Sequence, residues 1–170
     1  MNETPDDLRR LQRLLDDSAA SAGEHLRSII TDERILGAEE LCRRLQGMRL
    51  LVVATSTADG RPLVGPVDGY FLAGSFCFST AANSVRIRHL RERPAVSATH
   101  LPGEDLAVTV HGRAELFDLF DPDHPALLRA MLDHYLPVRG DSFGEWLNEE
   151  HPVGARITAE KMFTFSMDSR

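Results

Sequence analysis

The sequence predicts a mainly β domain with added helices, in which the strands form a closed antiparallel barrel. Apolar segments of strand length, bounded by turn residues, dominate from residue 50 onward. Most of these segments are joined by tight turns, which favours a barrel over a doubly wound parallel sheet. The 170 residues and the 42% hydrophobic content are enough for one ordinary core. We therefore expect a single structural domain that combines an N-terminal helical extension, residues 1–48, with a barrel, residues 49–170.

The N-terminal extension has helical periodicity. Residues 5–30 are predicted to form one helix, because apolar residues recur at intervals of three and four while Arg and Asp fill the other faces. These apolar residues are Leu8, Leu11, Leu15, Ala19, Ala22, Leu26 and Ile29. The small residues 18–23, "SAASAG", permit a close backbone approach or a bend, and the sequence leaves both open. A second helix is predicted over 38–48.

Strands and three short helices follow the extension. The predicted strands are 50–55, 62–72, 75–80, 95–100, 106–117 and 161–167, and the predicted helices are 84–91, 125–135 and 142–149. Asp59 and Gly60 form a pair that is typical of a tight hairpin turn between the first two strands. In the last strand, alternation places Met162, Thr164 and Ser166 on one face.

Composition argues against several function classes. Lys and Arg number 19 and Asp and Glu number 26, and the net charge of −7 argues against binding to nucleic acid or to anionic lipid. The N-terminal segment has neither a signal-peptide core nor an apolar run that could span a bilayer, so we expect a cytoplasmic protein. Cys42 and Cys77 lack the spacing of a metal or redox site, which predicts buried free thiols and no bound metal.

One basic segment departs from this acidic background. The strand 75–80 ends in Ser79 and Thr80, and the next helix begins near Ser84 with Arg86 in its first turn. Free backbone N–H groups at a helix start, neighbouring hydroxyl groups and an arginine together form a site for a phosphate. The alternative is that Ser84 only caps the helix and that the arginines are solvated.

The segment from Leu50 to Phe117 resembles the flavin-binding split-barrel family typified by pyridoxamine 5′-phosphate oxidase. The resemblance combines a hairpin with "DG.P...P", a strand ending in Ser or Thr, a helix with "S.(K/R)...L...P.V" and a strand ending near "G.A". The segment "ITAEKMFTFS" is similar to that family's last strand. The resemblance implies an antiparallel split β-barrel that binds a flavin.

Seven cofactor contacts are implied by this resemblance. The phosphate-binding positions fall on Ser79, Thr80, Ser84 and Arg86, and the strand that runs beside the isoalloxazine ring supplies Gly65, Pro66 and Val67. Val85 departs from the arginine that many members carry there. The alternative for Gly65 is a β-bulge or bend. Asp68 is a substrate contact or a turn residue, and we favour the turn.

Members of this family are generally homodimers with two cofactor sites at the interface. The resemblance therefore implies a homodimer, in which we expect the N-terminal helix to pack on the dimer rather than on its own barrel alone. The substrate-binding "R.H" pattern that true pyridoxamine phosphate oxidases carry near their last strand is missing, because "KMFTFSMDSR" offers only Arg170. Vitamin B6 oxidation is thus disfavoured, and the chain looks more like the divergent branch that uses FMN or the deazaflavin coenzyme F-420.

We accordingly expect an oxidoreductase that transfers hydride between FMN and an unidentified small organic substrate. A reductase dependent on coenzyme F-420 is the first alternative. A non-catalytic flavin or haem carrier is the second, with His100 or His111 as the haem ligand, although a packed or surface histidine is favoured for each. A barrel that has lost its cofactor and serves as an interaction module is the third.

Overall fold

The computed structural model describes residues 3–167 and contains, within that range, six strands and six helices. The strands are β1 (Met48–Ser56), β2 (Pro62–Leu72), β3 (Ser75–Thr80), β4 (Ala95–His100), β5 (Leu106–Asp118) and β6 (Val153–Ser166). The helices are α1 (Pro5–Ala20), α2 (Glu24–Ile29), α3 (Ala38–Arg44), α4 (Val85–Glu92), α5 (Pro125–Arg139) and α6 (Asp141–Glu150). Arg170 lies outside the described residues.

The strands pair antiparallel and close into a barrel in the order β1-β2-β3-β6-β5-β4. Tight turns join β1 to β2 and β2 to β3, while the β1–β4 and β3–β6 pairs complete the closure. Gly60 occupies the predicted hairpin turn with a φ of +82°, which glycine adopts without the strain of a side chain. The predicted antiparallel barrel with added helices is therefore confirmed.

The last strand is longer than predicted. β6 begins at Val153 rather than at residue 161, and its ladder with β5 shifts register between His111 and Gly112. A Cβ atom at Gly112 would lie 2.1 Å from the carbonyl oxygen of Thr158, so the two backbones meet where only glycine fits. This irregularity interrupts the alternation of apolar residues in β6. The sequence pattern therefore predicted only the C-terminal half of the strand. In that half Met162, Thr164 and Ser166 are buried on one face, as predicted.

The predicted helix over residues 5–30 is wrong in one respect, because the structure divides it into α1 and α2. The helix α1 ends at Ala20, and Ser21 to Gly23 form the connection. Of the two options left open for the small residues, the bend is the one observed. The apolar stripe of α1 is buried at Leu11 and Leu15, whereas α2 has no buried residue. The second predicted helix is also shorter, because α3 ends at Arg44 and β1 begins at Met48.

Buried hydrogen bonds join the helical extension to its own barrel. The backbone N–H of Met162 in β6 donates to the Ser18 hydroxyl of α1 at 3.0 Å. The N–H of Leu36, between α2 and α3, donates to the Thr164 hydroxyl at 2.9 Å. Apolar residues of α1 and α3 also belong to the same core cluster as the barrel interior. The extension thus packs on its own barrel, and its contribution to a dimer stays a prediction.

Two apolar cores stabilise the molecule. The first fills the barrel and includes Leu51, Val53, Phe76, Phe78, Val108, Val110 and Ile157. The second lies between the outer face of the sheet and the helices α5 and α6, and consists of Tyr70, Cys77, Leu119, Leu127, Met131, Phe143 and Leu147. Full burial of each large apolar side chain contributes about 1.5–3 kcal/mol. None of the helices within residues 3–167 is both long and apolar enough to cross a bilayer.

Both cysteines are free and buried, as predicted. Cys42 belongs to the first core and Cys77 to the second. Burial raises the pKa of Cys42 to about 12 and that of Cys77 to about 11. Both thiols are therefore protonated and weakly nucleophilic at neutral pH.

Candidate cofactor-binding site

The helix α4 begins as the sequence predicts. Ser84 is its N-cap, with extended backbone angles, and its hydroxyl accepts a hydrogen bond from the N–H of Ile87 at 3.2 Å. The N–H groups of Val85 and Arg86, in the first turn, have no acceptor within the helix. The start of α4 therefore combines two available donors with the positive end of the helix dipole.

The Arg86 side chain lies over the β1–β2 hairpin. A Cβ atom at Gly65 would be only 2.9 Å from Nη2 of Arg86, so the guanidinium rests against a backbone that has no side chain there. Arg86 is half-buried, and burial lowers the pKa of its guanidinium. Within residues 3–167, it has neither an ion pair nor a hydrogen-bond acceptor. A desolvated cation without a partner is unfavourable, and an anion bound beside it would remove that cost.

The contact with Arg86 also explains the glycine at position 65. The β1–β2 ladder runs without a register shift from Met48 opposite Tyr70 to Ser56 opposite Pro62. The alternative reading of Gly65 as a β-bulge is therefore wrong. A larger residue would displace the guanidinium.

The segment Gly65–Val67 forms an edge of the sheet. It pairs with β1, whereas β3 pairs only with Gly69–Leu72, so this part of β2 has one described strand neighbour. Pro66 lacks an N–H group and suits an edge position. Pro66 is exposed, while Val67 packs partly against the barrel core. The structure thus brings Gly65 and Arg86 together and leaves a free edge beside them.

Ser79 and Thr80 end β3 on opposite faces. Ser79 shares the face of Cys77, which α5 covers, and its hydroxyl donates to Sδ of Met131 at 3.4 Å. Thr80 alternates onto the face of Phe78 and is half-buried. Among the described contacts, none joins either hydroxyl to Arg86. The structure therefore places Ser79 toward α5 rather than toward the guanidinium.

Asp68 is not in a turn, and that prediction is wrong. It lies within β2 opposite Leu50, and its carboxylate accepts a hydrogen bond from the Tyr135 hydroxyl of α5. Burial and this hydrogen bond raise the pKa of Tyr135 to about 12. Asp68 thus tethers α5 to the strand that carries Gly65.

Sequence reasoning missed two further residues beside Arg86. His89 and Thr55 are only 6% and 5% exposed, and the His89 Nδ1 atom lies 3.1 Å from the Thr55 hydroxyl. Residues 86 and 89 are three apart on α4 and therefore share a face. This spacing was a usable signal, and the strand that contains Thr55 was predicted, but the sequence did not show that α4 packs on that strand.

The two histidines considered as haem ligands lie apart. His100 is buried and donates from Nδ1 to the carbonyl oxygen of Leu50 at 2.9 Å. His111 is exposed, and its Nδ1 lies 2.8 Å from the Ser97 hydroxyl. Alternation along β4 and β5 puts the two rings on opposite faces of the sheet. One ligand cannot therefore use both.

An apolar patch is exposed on the outer face of β1, β2 and the end of β4. Leu50, Val52, Val64 and Leu101 are 61%, 39%, 67% and 60% exposed. Cross-strand pairing places Val52 opposite Pro66 and Val64 opposite Ala54, so the outer side of this part of the hairpin is apolar. We call these residues the outer apolar patch. It lies on the opposite side of the hairpin from Arg86.

Comparison with known proteins agrees with this architecture. The family model described as pyridoxamine 5′-phosphate oxidase matches residues 38–157. A search of curated proteins finds none that matches the chain.

Solved structures of similar fold have varied descriptions. A conserved hypothetical protein of Mycobacterium tuberculosis is 22% identical with a TM-score of 0.63, over 80% of this chain and 88% of that one. The haem storage protein of Vibrio cholerae is 17% identical with a TM-score of 0.62, over 76% and 96%. An FAD-binding protein of Mesorhizobium loti is 24% identical with a TM-score of 0.55, over 77% and 93%. These likenesses concern the fold, and the family model covers most of the sequence, so the chain belongs to the pyridoxamine 5′-phosphate oxidase family.

Proposed function

We propose that the protein is an FMN-dependent oxidoreductase that transfers hydride between the bound flavin and a small organic molecule. The observation that carries this proposal is the half-buried guanidinium of Arg86, which rests against Gly65 without an anionic partner among residues 3–167. Such a cation beside the free N–H groups of a helix start is suited to a phosphate monoester. Family membership and the similarity to an FAD-binding protein support a flavin.

The described residues fit the two ends of FMN. Arg86, the Ser84 hydroxyl and the first N–H groups of α4 would hold the phosphate, with Thr80 at the end of β3 as a further donor. The edge of the sheet at Gly65, Pro66 and Val67, of which Pro66 is exposed, would receive the ring system. Ser79 contributes only if its weak bond to Met131 is exchanged for one to the phosphate.

The flavin supplies hydride transfer when bound, and the chain's residues bind it, orient it and exclude water. Arg86 orients the phosphate end through charge-assisted hydrogen bonds, which are directional. The edge at Pro66 and Val67 gives a ring access to the backbone, because β1 is the one described strand that pairs with this part of β2. None of these roles needs a catalytic acid or base from the chain.

The outer apolar patch supports a homodimer. Exposed apolar patches on soluble proteins commonly mark interaction surfaces. The patch covers the outer side of the hairpin whose inner side carries Gly65, so a second copy packed on it would place both cofactor sites near the interface. Two free buried thiols also support a reducing, cytoplasmic location.

Titration of the purified protein with FMN, coenzyme F-420 and haem in parallel tests the proposal. We expect saturable binding of FMN at micromolar concentration or below, and weaker binding of the other two. A preference for coenzyme F-420 would replace FMN with the deazaflavin, and a Soret band would favour the haem carrier. Binding of none of the three would favour an interaction module.

Charge reversal at two positions of one helix locates the site. Arg86→Glu is expected to weaken FMN binding by at least about tenfold, because it replaces the phosphate contact with a repulsive charge. Arg88→Glu, at an exposed position of the same helix, changes the net charge equally and serves as the matched control. An unchanged dissociation constant in Arg86→Glu, or an equal loss in both variants, would contradict the assigned site.

A further inference from the structure

Three polar side chains on one face of α4 contact the β1–β2 hairpin. Arg86 lies against Gly65, His89 contacts Thr55, and Nε of Arg93 donates to the carbonyl oxygen of Ser56 at 3.1 Å. Positions 86, 89 and 93 are separated by three and four residues, so they form a single stripe along the helix. The stripe fixes α4 to the hairpin with polar contacts along its length.

The middle contact of the stripe is the buried one. His89 and Thr55 are both more than nine-tenths buried, and their hydrogen bond joins β1 to α4. Either group can donate, depending on the tautomer of the imidazole. Removing either partner would leave the other buried without a hydrogen bond, which is strongly disfavoured. The pair therefore favours a rotational setting of α4 relative to β1 in which this hydrogen bond is made.

Rotation of α4 determines where the Arg86 guanidinium lies. Arginine is long, so a small rotation of the helix about its axis moves the end of the side chain much further than its Cα atom. Thr55 lies opposite Leu63 in the β1–β2 ladder, two residues from Gly65. The hydrogen bond between His89 and Thr55 thus lies on the same stretch of the hairpin that the Arg86 guanidinium contacts. Arg93 stands at the C-cap and also pairs with Glu92, so it fixes the far end of the helix.

We propose that His89 and Thr55 are positioning residues for the anion site, whose hydrogen bond sets α4 so that the Arg86 guanidinium rests against Gly65. The inference rests on the proposed function for its ligand, FMN, but the placement of Arg86 is a property of the free protein. Small displacements of a binding group are costly, because directional contacts weaken steeply with distance and angle.

Two readouts test the inference. The first is the FMN dissociation constant of Thr55→Val, Thr55→Ser, Arg86→Gln and the double variant Thr55→Val with Arg86→Gln. The second is the nuclear magnetic resonance shift of the Arg86 Nε–H and Gly65 amide signals in the ligand-free protein. Circular dichroism confirms that each variant is folded, and His89→Gln replaces Thr55→Val should the latter fail to fold.

Thr55→Val is expected to weaken FMN binding by about five- to tenfold and to move both signals, whereas Thr55→Ser, which keeps the hydroxyl, stays within about twofold of the wild type. In the Arg86→Gln background, Thr55→Val is expected to cause no further loss. The same loss in both backgrounds, or unmoved Arg86 and Gly65 signals, would overturn the inference. If the wild type binds no FMN, the proposed function fails, and the signals of the free protein alone decide the positioning role.

Discussion

The helix α4 and the layer formed by α5 and α6 differ in how they are held against the sheet. The helices α5 and α6 pack through an apolar cluster that includes Leu127, Met131 and Phe143. The helix α4 buries Ile87 and Leu90, the latter in the barrel core, and also contacts the β1–β2 hairpin through His89 and through Arg86, which has no anionic partner among residues 3–167. This difference predicts that changes in the α5–α6 layer mainly lower stability, whereas under the proposed function changes around Arg86 mainly lower the affinity for FMN.

The largest effect is expected from a cavity in the α5–α6 layer. Leu127→Ala removes a side chain that is almost fully buried, and should lower the free energy of unfolding by about 2–5 kcal/mol in urea titrations. The FMN affinity of the remaining folded protein should change by less than about twofold. Val138→Ala, at an exposed position of the same helix, is the control and should stay within about 0.5 kcal/mol. A loss of affinity that parallels the loss of stability would remove the distinction between the two regions.

A smaller effect is expected from the polar tether between α5 and β2. Tyr135→Phe removes the hydrogen bond to Asp68, and should lower the free energy of unfolding by about 0.5–1.5 kcal/mol at neutral pH. The pKa of Tyr135 is raised to about 12 in the folded protein, so the folded state keeps its proton while the unfolded chain loses it near the ordinary pKa. Stability should therefore fall as the pH rises from about 10 toward 12.

The Tyr135→Phe variant should show a shallower alkaline decline than the wild type. Some decline should persist, because burial also raises the pKa of Tyr70. The free energy of unfolding of both proteins, measured between pH 8 and pH 12, gives the slope of stability against pH for each. Identical slopes would contradict a contribution of the Tyr135 hydroxyl, and of its hydrogen bond to Asp68, to the alkaline decline in stability.

The smallest effect concerns the contact between β2 and α4. Gly65→Ala places a Cβ atom 2.9 Å from the Arg86 guanidinium, whose flexible side chain can shift aside. We expect stability to change by less than about 0.5 kcal/mol and FMN affinity to fall by about three- to fivefold. Gly103→Ala, where a Cβ atom would meet no atom within 4 Å, is the control. A change in stability without a change in affinity would assign Gly65 to packing instead of binding.

Local signals made much of the fold predictable. The β2 and β3 strands and the Ser84 cap follow from alternation, turn residues and capping preference, which act over a few residues. The division of the 5–30 helix was not predictable, because "SAASAG" is compatible with a continuous helix or a bend, and packing decides between them. The start of β6 was missed because the irregular ladder at Gly112 is a property of two distant strands.

The candidate site was predictable only in part. Arg86 and Ser84 stood out because their pattern lies within one short segment and matches a family. Asp68 was misassigned because aspartate is uncommon in strands, and its partner Tyr135 is 67 residues away. The contact between His89 and Thr55 spans 34 residues and depends on barrel closure. Tertiary contacts of this kind have no counterpart in local sequence pattern.

The most direct measurement of the central claim compares FMN with riboflavin, which lacks the phosphate, in the wild type and in Arg86→Gln. The ratio of the two dissociation constants isolates the contribution of the phosphate from that of the ring. If Arg86 holds the phosphate, the wild type should prefer FMN by about 100-fold or more, and the preference should fall at least about tenfold in Arg86→Gln, equivalent to about 1.4 kcal/mol. The same ratio in both proteins would contradict the assignment of the phosphate to Arg86.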